Sequence, residues 1–237
     1  MADTAGGDDS MIDGLPPRPD RETGEPFPPH GLSYFRGEET AAEHDVHRES
    51  RLSYRPDPPP GSGPVLAWHR ESRRGKMAVA LTSAIILIAG TLVISLFHQA
   101  GFGILAAWPI WLIIAVAVFL ISSPFSYLTY AAGADWLMVE RTRWGVKSRA
   151  WIDLYELTKI DAAYGGTTFH LWLYDKDMGL TRSSEELQRD RRIWDLVYNG
   201  ILHSVAGGAQ VSAQAIGILQ LAKTPALKIR DSGDLDR

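Results

Sequence analysis

Asp153 and Glu156, three positions apart, are the nearest this sequence comes to a carboxylate pair suited to general acid–base work. No nucleophile or base accompanies them, and on a short β-rich segment they read as a solvated surface. His44 and His47, beside Glu43 and Asp45, have a spacing that suits a divalent cation. Two imidazoles leave most of a coordination sphere unsupplied, so no metal site is expected there. His170 beside Trp172 is a lone strand histidine. There is no GxSxG elbow, no glycine-rich phosphate loop, no HExxH and no dinucleotide fingerprint. The chain has no cysteine, which excludes thiol catalysis, disulfides and Cys-ligated metals. The expectation is a protein that is not an enzyme, with no catalytic residue, cofactor or metal.

The basic residues are better placed for binding. Arg70, Arg73, Arg74 and Lys76 immediately precede a long apolar run, and Arg141, Arg143, Lys147 and Arg149 follow a second one. At a cytoplasmic leaflet, such residues contact lipid headgroups and contribute about 1 kcal/mol each near an anionic surface. The same placement also sets topology. Arg189, Arg191 and Arg192 form a third cluster, which reads as a solvated helix face because the surrounding segment is only mildly basic. No nucleic-acid partner is expected.

The apolar runs dictate where these cations lie. From Met77 to Ala134 there is no Asp, Glu, Lys or Arg. Met77–Phe97 forms one run; Ile104–Ile121, extending into Ser122–Ala132, forms another. Only His98–Gly103 lies between them. A helix as long as the first run spans about 31 Å, the thickness of a bilayer's hydrocarbon core. The pattern predicts a two-helix transmembrane hairpin within residues 67–134, with spans at 77–97 and 104–124. Lys and Arg flank both ends and are absent from the turn, so both termini are expected in the cytoplasm. Trp68, Trp108, Trp111, Tyr127, Tyr130 and Trp136 match interfacial aromatic belts. An acidic tail ahead of the first run argues against a cleaved signal peptide.

Residues 1–66 hold eleven of the fourteen prolines and carry thirteen acidic against six basic residues. Few aliphatic side chains are available to offset ordering entropy, so this arm is expected to be disordered. Leu32-Ser33-Tyr34-Phe35-Arg36 is echoed by Leu52-Ser53-Tyr54-Arg55, a candidate pair of peptides for capture by a partner. Between them, Glu38–Glu49 could form a transient helix.

Residues 135–206 read as a compact module. Asp135–Thr142 and Val146–Leu154 are β-rich runs around a turn at Arg143-Trp144-Gly145, and Gly165-Gly166 signals another hairpin. In Thr167–Tyr174 the residues Phe169, Leu171 and Leu173 alternate with His170, Trp172 and Tyr174. The first set suits a core and the second a half-exposed face that contacts a partner. Asp175–Gly179 turns the chain into a short run at Leu180–Ser183. Ser183 and Glu186 have capping-box spacing ahead of one amphipathic helix that stops at Gly207-Gly208. Gly200 inside that helix points to close packing against the sheet. Residues 207–237 are expected to form a short helix and flexible tail.

The hairpin, Asp135–Val139, the turn at Trp144-Gly145, the strand Ser148–Leu154, Leu157–Ile160 and the helix Arg192–Val205 occur in an order that resembles bacterial pleckstrin-homology-like membrane proteins. The resemblance implies an α+β fold, with a small antiparallel β-barrel-like module capped by a C-terminal helix. The functional expectation is a multi-pass inner-membrane adaptor that tethers a protein partner at the cytoplasmic leaflet through its module and arm, with homo-oligomerisation possible. The alternative is an accessory subunit of a channel, transporter or secretion complex, packed through its spans. Ala80, Ala84 and Gly90 would permit close helix approach there, although no GxxxG is present.

Overall fold

The structure is a computed structural model that describes residues 14–35, 55–71, 73–97, 107–123, 125–166 and 168–227. His44, His47, Glu38–Glu49, Leu52-Ser53-Tyr54 and the His98–Gly103 turn lie outside the described residues. The architecture is α+β. In chain order the elements are β1 (Ala67–Arg70), α1 (Arg73–Phe97), α2 (Trp108–Ser122), β2 (Ser126–Ala132), β3 (Trp136–Arg143), β4 (Val146–Asp153), β5 (Lys159–Gly165), β6 (Thr168–Tyr174), β7 (Gly179–Ser183), α3 (Ser184–Leu187), α4 (Arg191–Ala206), β8 (Gln210–Val211) and α5 (Ala213–Ile218). Two four-stranded sheets form, ordered β1-β2-β3-β4 and β7-β6-β5-β8. Neither closes on itself, so the expected barrel is an open pair of sheets. The chain divides into two compact units: Met1–His69 with Tyr130–Glu140 and Arg149–Arg237, and Arg70–Thr129 with Arg141–Ser148.

Among the described residues one helix, not two, is long and apolar enough to cross a membrane: Arg74–Phe97, with a mean hydropathy of 2.5 over its most apolar window. The expected two-span hairpin is thereby corrected. Among the described residues the second run is helical over the 15 residues of α2, about 22 Å, short of the hydrocarbon core. Ser123 ends α2 in the left-handed conformation, its amide donating to the Phe119 carbonyl at 3.1 Å. Pro124 follows, and the residue before a proline avoids helical backbone. Ser126–Ala132, expected as an extension of the span, is instead β2. It takes hydrogen bonds from the chain flanking β1, Leu66 to Ala132 at 2.9 Å and Glu71 to Leu128 at 3.0 Å. Apolar content alone did not separate a buried strand from the end of a span.

In the first unit the strand expectations hold closely. Phe169, Leu171 and Leu173 are buried, while His170 and Trp172 are half-buried and Tyr174 is exposed. Gly165 pairs with Thr168, placing the β5–β6 turn one residue later than Gly165-Gly166. Asp175 closes the next turn by accepting the amides of Asp177 and Met178. The Ser183–Glu186 capping box forms, but it opens only the short α3. Asp190 then caps α4 separately, accepting from Arg192 N. The single helix expected over this stretch is therefore two.

Gly200 lies where a Cβ would come within 2.5 Å of Leu154 Cβ and 2.9 Å of its carbonyl oxygen, so the helix packs directly on backbone there. The segment after Gly208 also contributes to the fold. β8 pairs parallel with β5, and Ala215, Ile218, Leu219 and Leu221 are buried. Only residues 228–237 of the expected flexible tail fall outside the described ones.

Candidate functional site

α4 carries Asp195, Asn199 and His203 at four-residue spacing, a stripe that would ordinarily face water. All three are buried, because residues 14–35 of the amino-terminal arm lie along them. Asp195 accepts the Gly31 amide at 3.0 Å and pairs with His30 Nδ1 at 3.0 Å. Asn199 donates to the Pro17 carbonyl at 3.2 Å. Arg18 donates to His203 Nδ1 at 3.2 Å, which leaves Nε2 to donate to the Pro16 carbonyl at 2.7 Å. The expectation of disorder throughout residues 1–66 is corrected for this segment. Its main-chain polar groups are satisfied by a polar helix face instead of water.

The first Leu-Ser-Tyr copy is the most tightly held part. Trp194 Nε1 donates to the Leu32 carbonyl at 2.9 Å, and Ser33 Oγ donates to Ile218 O at 2.8 Å. Gln188 donates to the Ser33 carbonyl at 2.7 Å and accepts the Phe35 amide at 3.1 Å. The Tyr34 hydroxyl donates to the Gln188 carbonyl at 3.2 Å, and the Phe35 ring meets Phe169 edge-on at 5.6 Å. Arg191 and Arg192, expected on a solvated face, lie over the rings of Tyr34 and Phe27 at 4.9 and 4.8 Å. Sequence spacing alone did not reveal this groove. Its polar stripe resembles an ordinary wet face until the covering segment is known.

Burial pushes the Asp195 carboxyl above the usual carboxylate range, outweighing the bonds from Gly31 and His30 that lower it. Burial likewise raises Asp153, which with Asp135, Glu156, Arg18 and Arg21 lines an open polar depression. Arg21 pairs with Asp135 there. Asp153 and Glu156 thus sit among structural partners: Asp153 accepts the Tyr155 amide at 2.9 Å and Glu156 pairs with Lys176 at 2.7 Å. Among the described residues no group of three or more metal-ligating side chains occurs.

The eight basic residues divide. Arg149 donates to the fully buried Glu140 at 2.8 Å and also meets Asp57 at 3.2 Å, which makes it a structural cation. Lys76 pairs with Glu71 at 3.2 Å and, with Arg70, lies over Tyr127. The Arg73 side chain lies outside the described residues; Arg74 and Lys147 are exposed. Arg141 and Arg143 come together on one face of β3 and line a cavity of about 150 Å³ with Phe119, Phe125 and Trp144. His170, Trp172 and Tyr174 share one face of β6, with the His170 and Trp172 rings 6.2 Å apart. Lys159 lies over the Tyr174 ring at 5.8 Å.

No protein-family model, curated protein or solved structure matches this chain.

Proposed function

We propose that the chain is a non-enzymatic, membrane-anchored adaptor of the inner membrane, with its module at the cytoplasmic leaflet. The observation that carries this reading is α1. No residue of its most apolar window is buried within the protein, and Leu81, Ile85, Ile86, Val93 and Leu96 are all exposed. Exposed apolar surface of this extent needs lipid or another protein to cover it. Arg141 and Arg143 beyond α2 fit a cytoplasmic placement of the flank that leads into the module. The strands followed by helix α4 keep the element order of the pleckstrin-homology-like resemblance, in an open form. The half-exposed face of His170, Trp172 and Tyr174 is the proposed partner contact. Tethering would raise that partner's effective concentration at the leaflet.

One observation favours the second reading, an accessory subunit packed through its spans. A Cβ at Gly90 would meet nothing within 4 Å, so this small-residue position of α1 is open to a further helix.

Because the chain has no cysteine, single cysteines report topology cleanly. Asp177→Cys should resist a membrane-impermeant maleimide in intact cells and react after lysis. Labelling of the Asp177 position in intact cells would overturn the proposed orientation.

A further inference from the structure

Trp144 and Gly145 turn β3 into β4 with φ of 51° and 82°, a two-residue hairpin that favours Asn or Gly at its first position. A tryptophan there is under backbone strain, and strain of this kind accumulates where function requires it. The indole is 63 % exposed, stacked on Phe125 at 4.6 Å, and its amide donates to the Phe125 carbonyl at 3.1 Å. Beside this aromatic pair, Arg141 and Arg143 face the same cavity at the carboxy-terminal end of apolar α2. Among the described residues, neither has an ion-pair partner. Capping the helix is not their role, since Ser123 already serves the final carbonyls: its amide donates to Phe119 O and its hydroxyl to Leu120 O at 2.9 Å.

We propose that this cavity is a headgroup site for an anionic phospholipid, an inference that rests on the membrane-anchored reading above. Two guanidiniums on one strand face suit the non-bridging oxygens of a phosphodiester. The apolar wall of Phe119 and Leu120, continuous with exposed α2, suits the start of the acyl chains. Trp144 and Phe125 occupy the interfacial level, where amphipathic rings settle. About 150 Å³ is several times the ~30 Å³ share of one water, enough for a phosphate group but not for a whole lipid. A zwitterionic phosphocholine would bring its own ammonium beside two cations, whereas a lipid with net negative charge leaves the pair compensated.

The test uses the full chain purified in neutral detergent, with retained lipid counted by native mass spectrometry. The probes are phosphatidylglycerol, phosphatidylcholine and inorganic phosphate. Wild type should retain phosphatidylglycerol in preference to phosphatidylcholine, and millimolar phosphate should not displace it. Arg141→Gln/Arg143→Gln should weaken retention roughly thirtyfold, the product of two basic residues near an anionic headgroup. The charge-matched Arg189→Gln/Lys223→Gln should retain it like wild type. Equal retention of the two lipids, displacement by phosphate, or equal losses in both double variants would overturn the proposal. Washing membranes at alkaline pH separates the two readings. A chain that resists extraction yet shows no headgroup preference defeats the pocket alone, whereas an extractable chain defeats the anchored reading itself.

Discussion

The Gln188 side-chain amide grips the main chain at Ser33, donating to its carbonyl at 2.7 Å while accepting the Phe35 amide at 3.1 Å. One side chain thus imitates a rung of a β-ladder, and a proline-rich arm becomes part of a folded unit.

Gln188→Ala leaves the Ser33 carbonyl and the Phe35 amide without these partners. Each such group costs about 1–3 kcal/mol where water cannot replace the bond. Residues 31–35 should lose amide-exchange protection, and chymotrypsin should cut at Tyr34 or Phe35 well before the rest of the unit. Unchanged protection would show that the clamp contributes nothing.

Gly200→Ala forces a methyl group into the Leu154 backbone. Overpacking against main chain, which cannot rotate away, should destabilise the unit by about 1–3 kcal/mol despite the better helix propensity of Ala. A higher melting temperature would contradict the close approach.

Asp195 should give stability a pH dependence of unusual sign. Its folded-state pKa is raised, chiefly by burial, so the folded chain holds a proton that the unfolded chain has already released. The folded state then binds more protons, and stability falls as pH rises from about 4 through the raised value. Asp195→Asn cannot ionise and should lack this decline. Urea midpoints at pH 4 and pH 7 should drop more in wild type than in the variant; parallel curves would exclude the effect.

The alternation in β6 separates core from surface. Leu171 is 1 % exposed, and Leu171→Ala should cost about 2–5 kcal/mol. Trp172 lies on the opposite face, away from buried Trp194, so Trp172→Ala should cost clearly less. A larger loss of melting temperature from the tryptophan would make that face structural and remove it as a partner contact.

What could be read from the chain followed from local rules. Alternation marked β6, capping chemistry marked Ser183 and Glu186, and the stop at Gly208 was explicit. Gly200 signalled its close contact because helix interiors otherwise disfavour glycine. The errors came from long-range partners. Ser126–Ala132 is apolar enough for a span and becomes a strand between β3 and the distant β1. The arm looks incapable of order because its stabilisation comes from Asp195, Asn199, His203 and Gln188, more than 150 residues away. Arg149 resembled its basic neighbours until Glu140 appeared beneath it. Arg141 and Arg143 stood out only as two of eight basic flanks, and neither their shared cavity nor its aromatic wall from Phe119 and Phe125 was legible.

The anchored reading stands on α1, and extraction of cell membranes with alkaline carbonate tests it most directly. The full chain should remain in the membrane pellet and be released only by detergent. Recovery of the chain in the carbonate supernatant would contradict the account.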